Sequence, residues 1–259
     1  MLNRTLLAVF LSISLLPVNL VAAPDELADE QIFHRGNGTE PQTLDPHKAE
    51  GVPSSNILRD LYEGLTIEAP NGDVIPGGAE AWEISDNGKT YLFKLRRNAR
   101  WSNGDTVTAR DFVFGLRRSA DPATASKYSL ILAPIENAEA VIKGDLPPDS
   151  LGVEAIDDHR LRIRLKAPTP YFLGLLNHSS TYPVHRASVE QHGAKFSRPG
   201  KLVSNGAYRL TNWVVQSHIT LERNPLYWDN ENTTVDKVIY YPIENQSTEL
   251  KRYRAGELD

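Results

Sequence analysis

The sequence predicts a mixed α+β fold, and three observations carry that expectation. Asn-Gly turn signals stand beside short runs in which apolar and polar residues alternate, the pattern of half-buried strands joined in hairpins. Between these runs lie a few amphipathic stretches preceded by N-cap residues, which predict helices. Cysteine is absent from the 259 residues, while 40% are hydrophobic and 24% charged. Stability must therefore come from a packed core and not from disulfides.

The first residues differ in character from the rest. Arg4 supplies a positive start, Leu6 to Leu16 form an apolar run interrupted by Pro17, and the small residues Ala22 and Ala23 follow. That order reads as a secretory signal peptide over 1–22, cut after Ala22 because Pro24 hinders cleavage immediately before it. The run is shorter than the ~20 residues a membrane-spanning helix needs. No later segment is apolar enough to span a bilayer, so the expectation is an exported, soluble product. Lacking cysteine, the chain has no N-terminal Cys to carry lipid. For a Gram-negative source, a freely diffusing periplasmic protein without a lipid anchor follows.

Along the remainder, Trp82 and Ile84 precede Asn87-Gly88, and Tyr91, Phe93 and Leu95 alternate with Leu92 and Lys94, which predicts a hairpin. Asn103-Gly104 marks a turn. Thr108 is then the N-cap of a helix running to about Ser119, with Asp111 in its first turn and Phe112, Val113 and Leu116 on one face. A second hairpin is predicted from Val153 and Ala155, through Asp157-Asp158, to Leu161, Ile163 and Leu165. Pro168 and Pro170 stop that strand and open a short helix from Tyr171 to Leu176. A further helix is predicted from Pro183, a favourable first-turn residue, to Gly193. Asn205-Gly206 opens a β-rich stretch containing Tyr208, Leu210, Val215, Ile219 and Leu221, followed by a strand from Val235 to Tyr241. Ser247 or Thr248 caps a last helix, which Gly256 ends.

The formal charge of −5 argues against nucleic acid as a partner, since phosphate binding needs a basic face. Two short basic runs, Arg96-Arg97 and Arg117-Arg118, read as solvated surface. His185 and His192 lie seven apart on one predicted helix and read as surface histidines, not metal ligands. Gly88-Lys89-Thr90 mimics the end of a phosphate loop, but Glu83 stands where its first glycine belongs. Gly36-Asn37-Gly38 lacks the third glycine of a dinucleotide fingerprint, because Pro41 occupies that place. No Gly-x-Ser-x-Gly elbow is present. No catalytic residue, metal or cofactor is assigned, and the chain is read as a non-enzyme.

From about Ile32 onward a series of motifs follows in order. Thr43-Leu44-Asp45-Pro46-His47 comes first, then Asp60-Leu61-Tyr62-Glu63-Gly64-Leu65, then Pro76-Gly77-Gly78-Ala79-Glu80-Ala81-Trp82-Glu83 leading to Tyr91-Leu92-Phe93-Lys94-Leu95-Arg96. The most specific block runs from Trp101-Ser102-Asn103-Gly104-Asp105 to Arg110-Asp111-Phe112-Val113. Asn205-Gly206-Ala207-Tyr208 and Glu222-Arg223-Asn224-Pro225-Leu226-Tyr227-Trp228-Asp229 complete the set. In these blocks the chain resembles the family-5 extracellular solute-binding proteins, and among them the oligopeptide receptors of ABC importers. Most of the motif residues are aromatic, Gly or Pro, so Trp82, Trp101, Tyr208 and Trp228 are expected to serve packing.

The resemblance implies a bilobal fold like the type II periplasmic binding proteins, whose lobes close over an extended peptide by a hinge motion. It implies 23–64 and 187–259 as a discontinuous, incomplete first lobe and 65–186 as an inserted β-rich subdomain of it. The second lobe is expected to be missing, leaving an N-terminal fragment with weak or no binding alone and an apolar cleft wall exposed. Carried over residue by residue, the ligand-binding set is Glu50, Gly51 and Val52, with Tyr128 and His178 facing the cleft. Glu50 would offset a ligand's lysine charge. Expected partners are short peptides and the membrane permease of an ABC importer, with the chain a monomer that neither inserts in the membrane nor binds nucleic acid. Receptors of the same fold for dipeptide, murein peptide, nickel or haem remain open, as does an exported hydrolase acting on peptides or glycans. A chaperone-like half-receptor is a further class.

Overall fold

The computed structural model describes residues 30–85 and 87–259, so the signal peptide read over 1–22 lies outside the described residues. In chain order the first elements are β1 (Ile32–Gly36), α1 (Gly51–Leu61), β2 (Thr66–Glu68), β3 (Val74–Pro76), β4 (Ala79–Ile84), β5 (Thr90–Leu95) and α2 (Ala109–Ala120). There follow α3 (Ala138–Lys143), β6 (Val153–Asp157), β7 (Arg160–Arg164), α4 (Phe172–Leu175) and α5 (Arg186–His192). Last come β8 (Tyr208–Val214), β9 (His218–Arg223), β10 (Lys237–Tyr241) and α6 (Gln246–Arg254).

Two four-stranded sheets dominate. One has the order β1-β10-β9-β8, with β1 parallel to β10 and the other pairs antiparallel. Phe33 faces Val238 in that parallel ladder, so residues early and late in the chain share one sheet. The other sheet, β4-β5-β7-β6, is wholly antiparallel and lies between them in sequence. Its alternation is the one expected: Tyr91, Phe93 and Leu95 are buried, while Lys94 is exposed. Opposite them Leu161 and Ile163 are fully buried, paired with Phe93 and Tyr91. Each such buried side chain contributes roughly 1.5–3 kcal/mol of transfer free energy. A small hairpin, β2-β3, forms a separate ladder.

Helix α2 packs on this second sheet, and its start follows the cap signal. The Asp111 carboxylate accepts from the Thr108 backbone N–H at 2.7 Å and from its hydroxyl at 2.9 Å. Phe112, Val113 and Leu116 are buried. Gly115 lets the helix approach the 182–183 segment closely, since a Cβ there would lie 2.7 Å from the Tyr182 carbonyl oxygen. Trp101 and Tyr208 are buried as packing residues, while Trp82 and Trp228 are half-buried.

Several expectations are corrected. Helix α5 begins at Arg186, not at Pro183, because the His185 ring Nδ1 accepts the Ser188 N–H at 3.2 Å and caps it. Asn245, not Ser247 or Thr248, caps α6, accepting the Thr248 N–H at 3.0 Å. Val215 is no strand residue: it sits in the β8–β9 turn, 65% exposed. The basic runs are not simply solvated, since Arg118 forms a buried ion pair with Asp45, while the Arg96 guanidinium lies 3.4 Å above the Trp228 ring centroid. Helix α1, which carries Gly51 and Val52, is a full eleven-residue helix where none was predicted.

Candidate functional site

The site is built on a tight turn. Asp45 accepts the His47 N–H on its carboxylate at 3.1 Å and the Lys48 and Ala49 N–H groups on its carbonyl at 3.0 and 2.9 Å. Asp45 and His47 are both buried, at 4% and 1% exposure. Arg118 reaches them from α2 with a two-pronged contact to the Asp45 carboxylate at 2.8 and 2.7 Å. It also donates to His47 Nδ1 at 2.7 Å. Nδ1 is therefore an acceptor, and the proton on Nε2 is donated to the Tyr182 carbonyl at 2.9 Å.

This buried triad fixes its own protonation. Burial and then the Arg118 charge push His47 down to about 4. For Asp45, burial pushes the carboxyl upward, but the Arg118 hydrogen bonds and charge, with His47, outweigh it and hold it below the ordinary range. Removing either charge would leave the other stranded in the core, so the pair anchors residues 45–49 to α2.

Just beyond this anchor the chain turns outward. Glu50 is the extended N-cap of α1, and its side chain makes no capping bond. Gly51 has φ +78°, in the left-handed region open to glycine at little cost. Val52 is 70% exposed although its neighbours Ile57, Leu58 and Leu61 further along α1 are buried. Ala49, Gly51, Val52 and Ser55 line a cavity of about 210 Å³ together with Tyr128, His178 and Ser179. The rings of Tyr128 and His178 pack at 4.8 Å between centroids, tilted by 56°. His178 Nδ1 accepts the Ser180 N–H at 3.1 Å, which fixes the ring, while burial and then the Arg59 charge lower its affinity for a second proton.

Of the five residues singled out from the sequence, four line this one cavity: Gly51, Val52, Tyr128 and His178. Glu50 does not line it; it lies exposed, next to Gly51. Sequence reasoning missed Ala49, Ser55 and Ser179. Ser55 stands four residues after Gly51 on α1, so the helical period would have found it had α1 been recognised.

Several motif residues build a joint elsewhere. Glu63 is buried at 5% exposure, and its carboxylate accepts the Trp228 indole N–H at 2.8 Å and a short bond from the Tyr227 hydroxyl. The Asn205 amide clamps the Glu63 backbone, accepting its N–H at 3.2 Å and donating to its carbonyl at 2.9 Å. Burial pushes Glu63 up to about 7 in spite of these donors and Arg96. Close by, the Tyr240 hydroxyl donates to Asp60 at 2.7 Å, and burial pushes that carboxyl to about 6. Among the described residues no group of three or more His, Cys, Asp or Glu side chains could hold a metal ion.

A family model of the bacterial extracellular solute-binding proteins, family 5, matches residues 73–259. The chain belongs to that family. It is 47% identical over 264 residues to the periplasmic oligopeptide-binding protein OppA of Salmonella typhimurium, an alignment covering 99% of this chain and 48% of the relative. To the periplasmic murein peptide-binding protein MppA of Escherichia coli it is 42% identical over 250 residues, covering 96% of this chain and 46% of that protein. A crystal structure of Haemophilus influenzae OppA in complex with the peptide RPPGFSPFR superposes with a TM-score of 0.88 at 45% identity, covering 90% of this chain and 46% of the other. The chain thus spans about half the length of the family-5 relatives it matches. Its mixed α/β architecture is that of periplasmic peptide-binding proteins over the part it shares with them. Among the described residues no helix is long and apolar enough to cross a membrane.

Proposed function

We propose that this family-5 chain supplies one wall of a peptide site in ABC-type oligopeptide uptake, acting in the periplasm as a binding protein and not as an enzyme. The observation that carries this reading is the outward start of α1. There, Gly51 and Val52 meet Tyr128 and His178 around one open cavity, held in place by the Asp45–Arg118–His47 anchor. A glycine with positive φ beside an exposed valine presents main chain without an obstructing side chain, which suits an extended peptide recognised through its backbone. The Tyr128 and His178 rings, packed at a tilt, offer an aromatic, tolerant flank, and Glu50 offers a carboxylate beside it for a ligand's lysine.

In this proposal 23–64, of which 23–29 lie outside the described residues, and 187–259 make one lobe and 65–186 its inserted β-rich subdomain, a division supported by the β1–β10 pairing across the second sheet. The ligand would pass on to a membrane permease. The names of the relatives, an oligopeptide-binding and a murein peptide-binding protein, support peptides as the ligand class.

Native mass spectrometry of the chain with a pool of tri- to pentapeptides tests this. Peptide-mass adducts lost on mild activation, and diminished in Tyr128→Ala, are expected. Covalent processing of the pool, or adducts indifferent to Tyr128, would contradict the reading.

A further inference from the structure

A second cavity, of about 590 Å³, opens beside the outer face of α2, against residues 148–155 and the start of α5. Its volume falls in the roughly 300–1,000 Å³ range typical of small-molecule sites. Val113, Phe114, Pro148 and Ala155 give it apolar walls, and Arg110, Arg117 and Arg186 bring guanidinium groups to them. Arg110 and Arg117 lie seven residues apart on α2, two turns along the same face, with Phe114 between them. The Arg186 guanidinium stands 5.5 Å from the Phe114 ring centroid.

Inside, Arg110, Arg117 and Arg186 meet three carboxylates, and what favours an anion is how those carboxylates are engaged. Glu154 also lines the cavity, but its carboxylate is drawn to Arg162 at 2.6 Å and Arg164 at 3.5 Å. Asp121 accepts the Ala123 N–H at 2.9 Å as a cap. Only Asp149 answers a cavity arginine, Arg117, at 2.9 Å. The partners of Arg110 and Arg186 are Asp158 at 3.4 Å and Glu190 at 2.7 Å, neither of which lines the cavity. Both are exposed pairs, of the kind that contribute little and exchange readily for a better acceptor. Arg118 plays no part, being committed to Asp45.

We propose that this cavity binds an organic anion, a carboxylate carried on an aromatic or aliphatic body, at a site separate from the peptide face. The apolar walls would take the body, and the planar forks of Arg110 and Arg186 would grip the carboxylate two-pronged. The inference does not depend on peptide binding, because none of its residues lines the Gly51–His178 cavity.

Isothermal titration of the whole chain with 2-naphthoate, with the neutral 2-naphthylmethanol and with the cationic 2-naphthylmethylamine tests it. Naphthoate is expected to bind at least about tenfold more tightly than the alcohol, with the amine weakest. The double variant R110Q/R186Q changes two largely exposed side chains, at 78% and 66%, so the fold stands. It should lose about tenfold in naphthoate affinity, checked against an unchanged melting curve. F114A should weaken naphthoate and alcohol alike. Equal binding of naphthoate and alcohol, unchanged affinity in the double variant, or no naphthoate binding up to about 5 mM would overturn the proposal. Displacement of naphthoate by trilysine would overturn the separateness of the site.

Discussion

Replacing Arg118 with methionine strands two buried partners at once. Asp45, 4% exposed, loses both charge-assisted bonds, at 2.8 and 2.7 Å, and His47 Nδ1 loses its donor at 2.7 Å. Methionine fills similar volume, so the loss is electrostatic rather than a packing void. Breaking a buried ion pair from one side costs about 3–5 kcal/mol, mostly the penalty of the carboxylate left behind. For a domain of this size about 1 kcal/mol shifts the melting point by about 2–4 °C, giving a fall of roughly 6–20 °C. Urea unfolding at pH 7, followed by tryptophan fluorescence, reads the free energy directly. Two companion results are expected. The double variant D45N/R118M should recover part of the loss, because no bare charge remains buried. The deficit of R118M should also shrink as pH falls, since burial without Arg118 raises the Asp45 pKa and lets the carboxyl take up a proton. A loss below about 1 kcal/mol, the size of an exposed pair, would refute the account of residues 45–49 as an anchor.

Other predictions are more compact. Glu63, raised from 4.5 to about 7, binds its proton more tightly folded than unfolded, so its contribution is full below about pH 4.5 and is lost as pH rises through 7. Glu63→Gln should therefore gain roughly 3 kcal/mol relative to wild type between pH 4.5 and 8 in urea midpoints; a pH-independent difference would contradict the assignment. His47, lowered to about 4 from 6.5, works the opposite way: its neutral form stabilises the fold above pH 6.5, and that stability is lost as pH falls towards 4. H47Q should accordingly flatten the acid limb of the stability profile. Gly206→Ala would place a Cβ 2.7 Å from the Asp60 carbonyl oxygen and 2.8 Å from the Tyr62 nitrogen, costing about 1–3 kcal/mol or more by thermal melting. Val52→Asp should leave stability within about 0.5 kcal/mol, because the side chain is 70% exposed, while lowering peptide adducts.

The hairpins and α2 were legible because their information is local. Alternation in 90–95 and 160–164 and the Thr108 cap specify face and start without distant partners. No helix was predicted over α1: Gly51 and Pro53 are poor helix-interior residues, yet both sit within its first turn, where proline is tolerated. His185 and Asn245 were passed over as caps because neighbouring Pro183 and Ser247 carry the commoner signal. The cavity residues came from the motif resemblance and not from periodicity, since Tyr128 and His178 meet only through tertiary packing. Arg118 shows the limit most clearly: in sequence it is half of a basic pair, and only its long-range partners Asp45 and His47 reveal a buried role.

Chemical-shift mapping of the isotope-labelled chain against a lysine-containing tripeptide tests the central claim most directly. The account predicts shifts concentrated at residues 49–55, 127–129 and 177–180, saturating together, and reduced in Tyr128→Ala. Shifts confined to other surfaces, or none at peptide concentrations of about 10 mM, would contradict the assignment of this face to peptides.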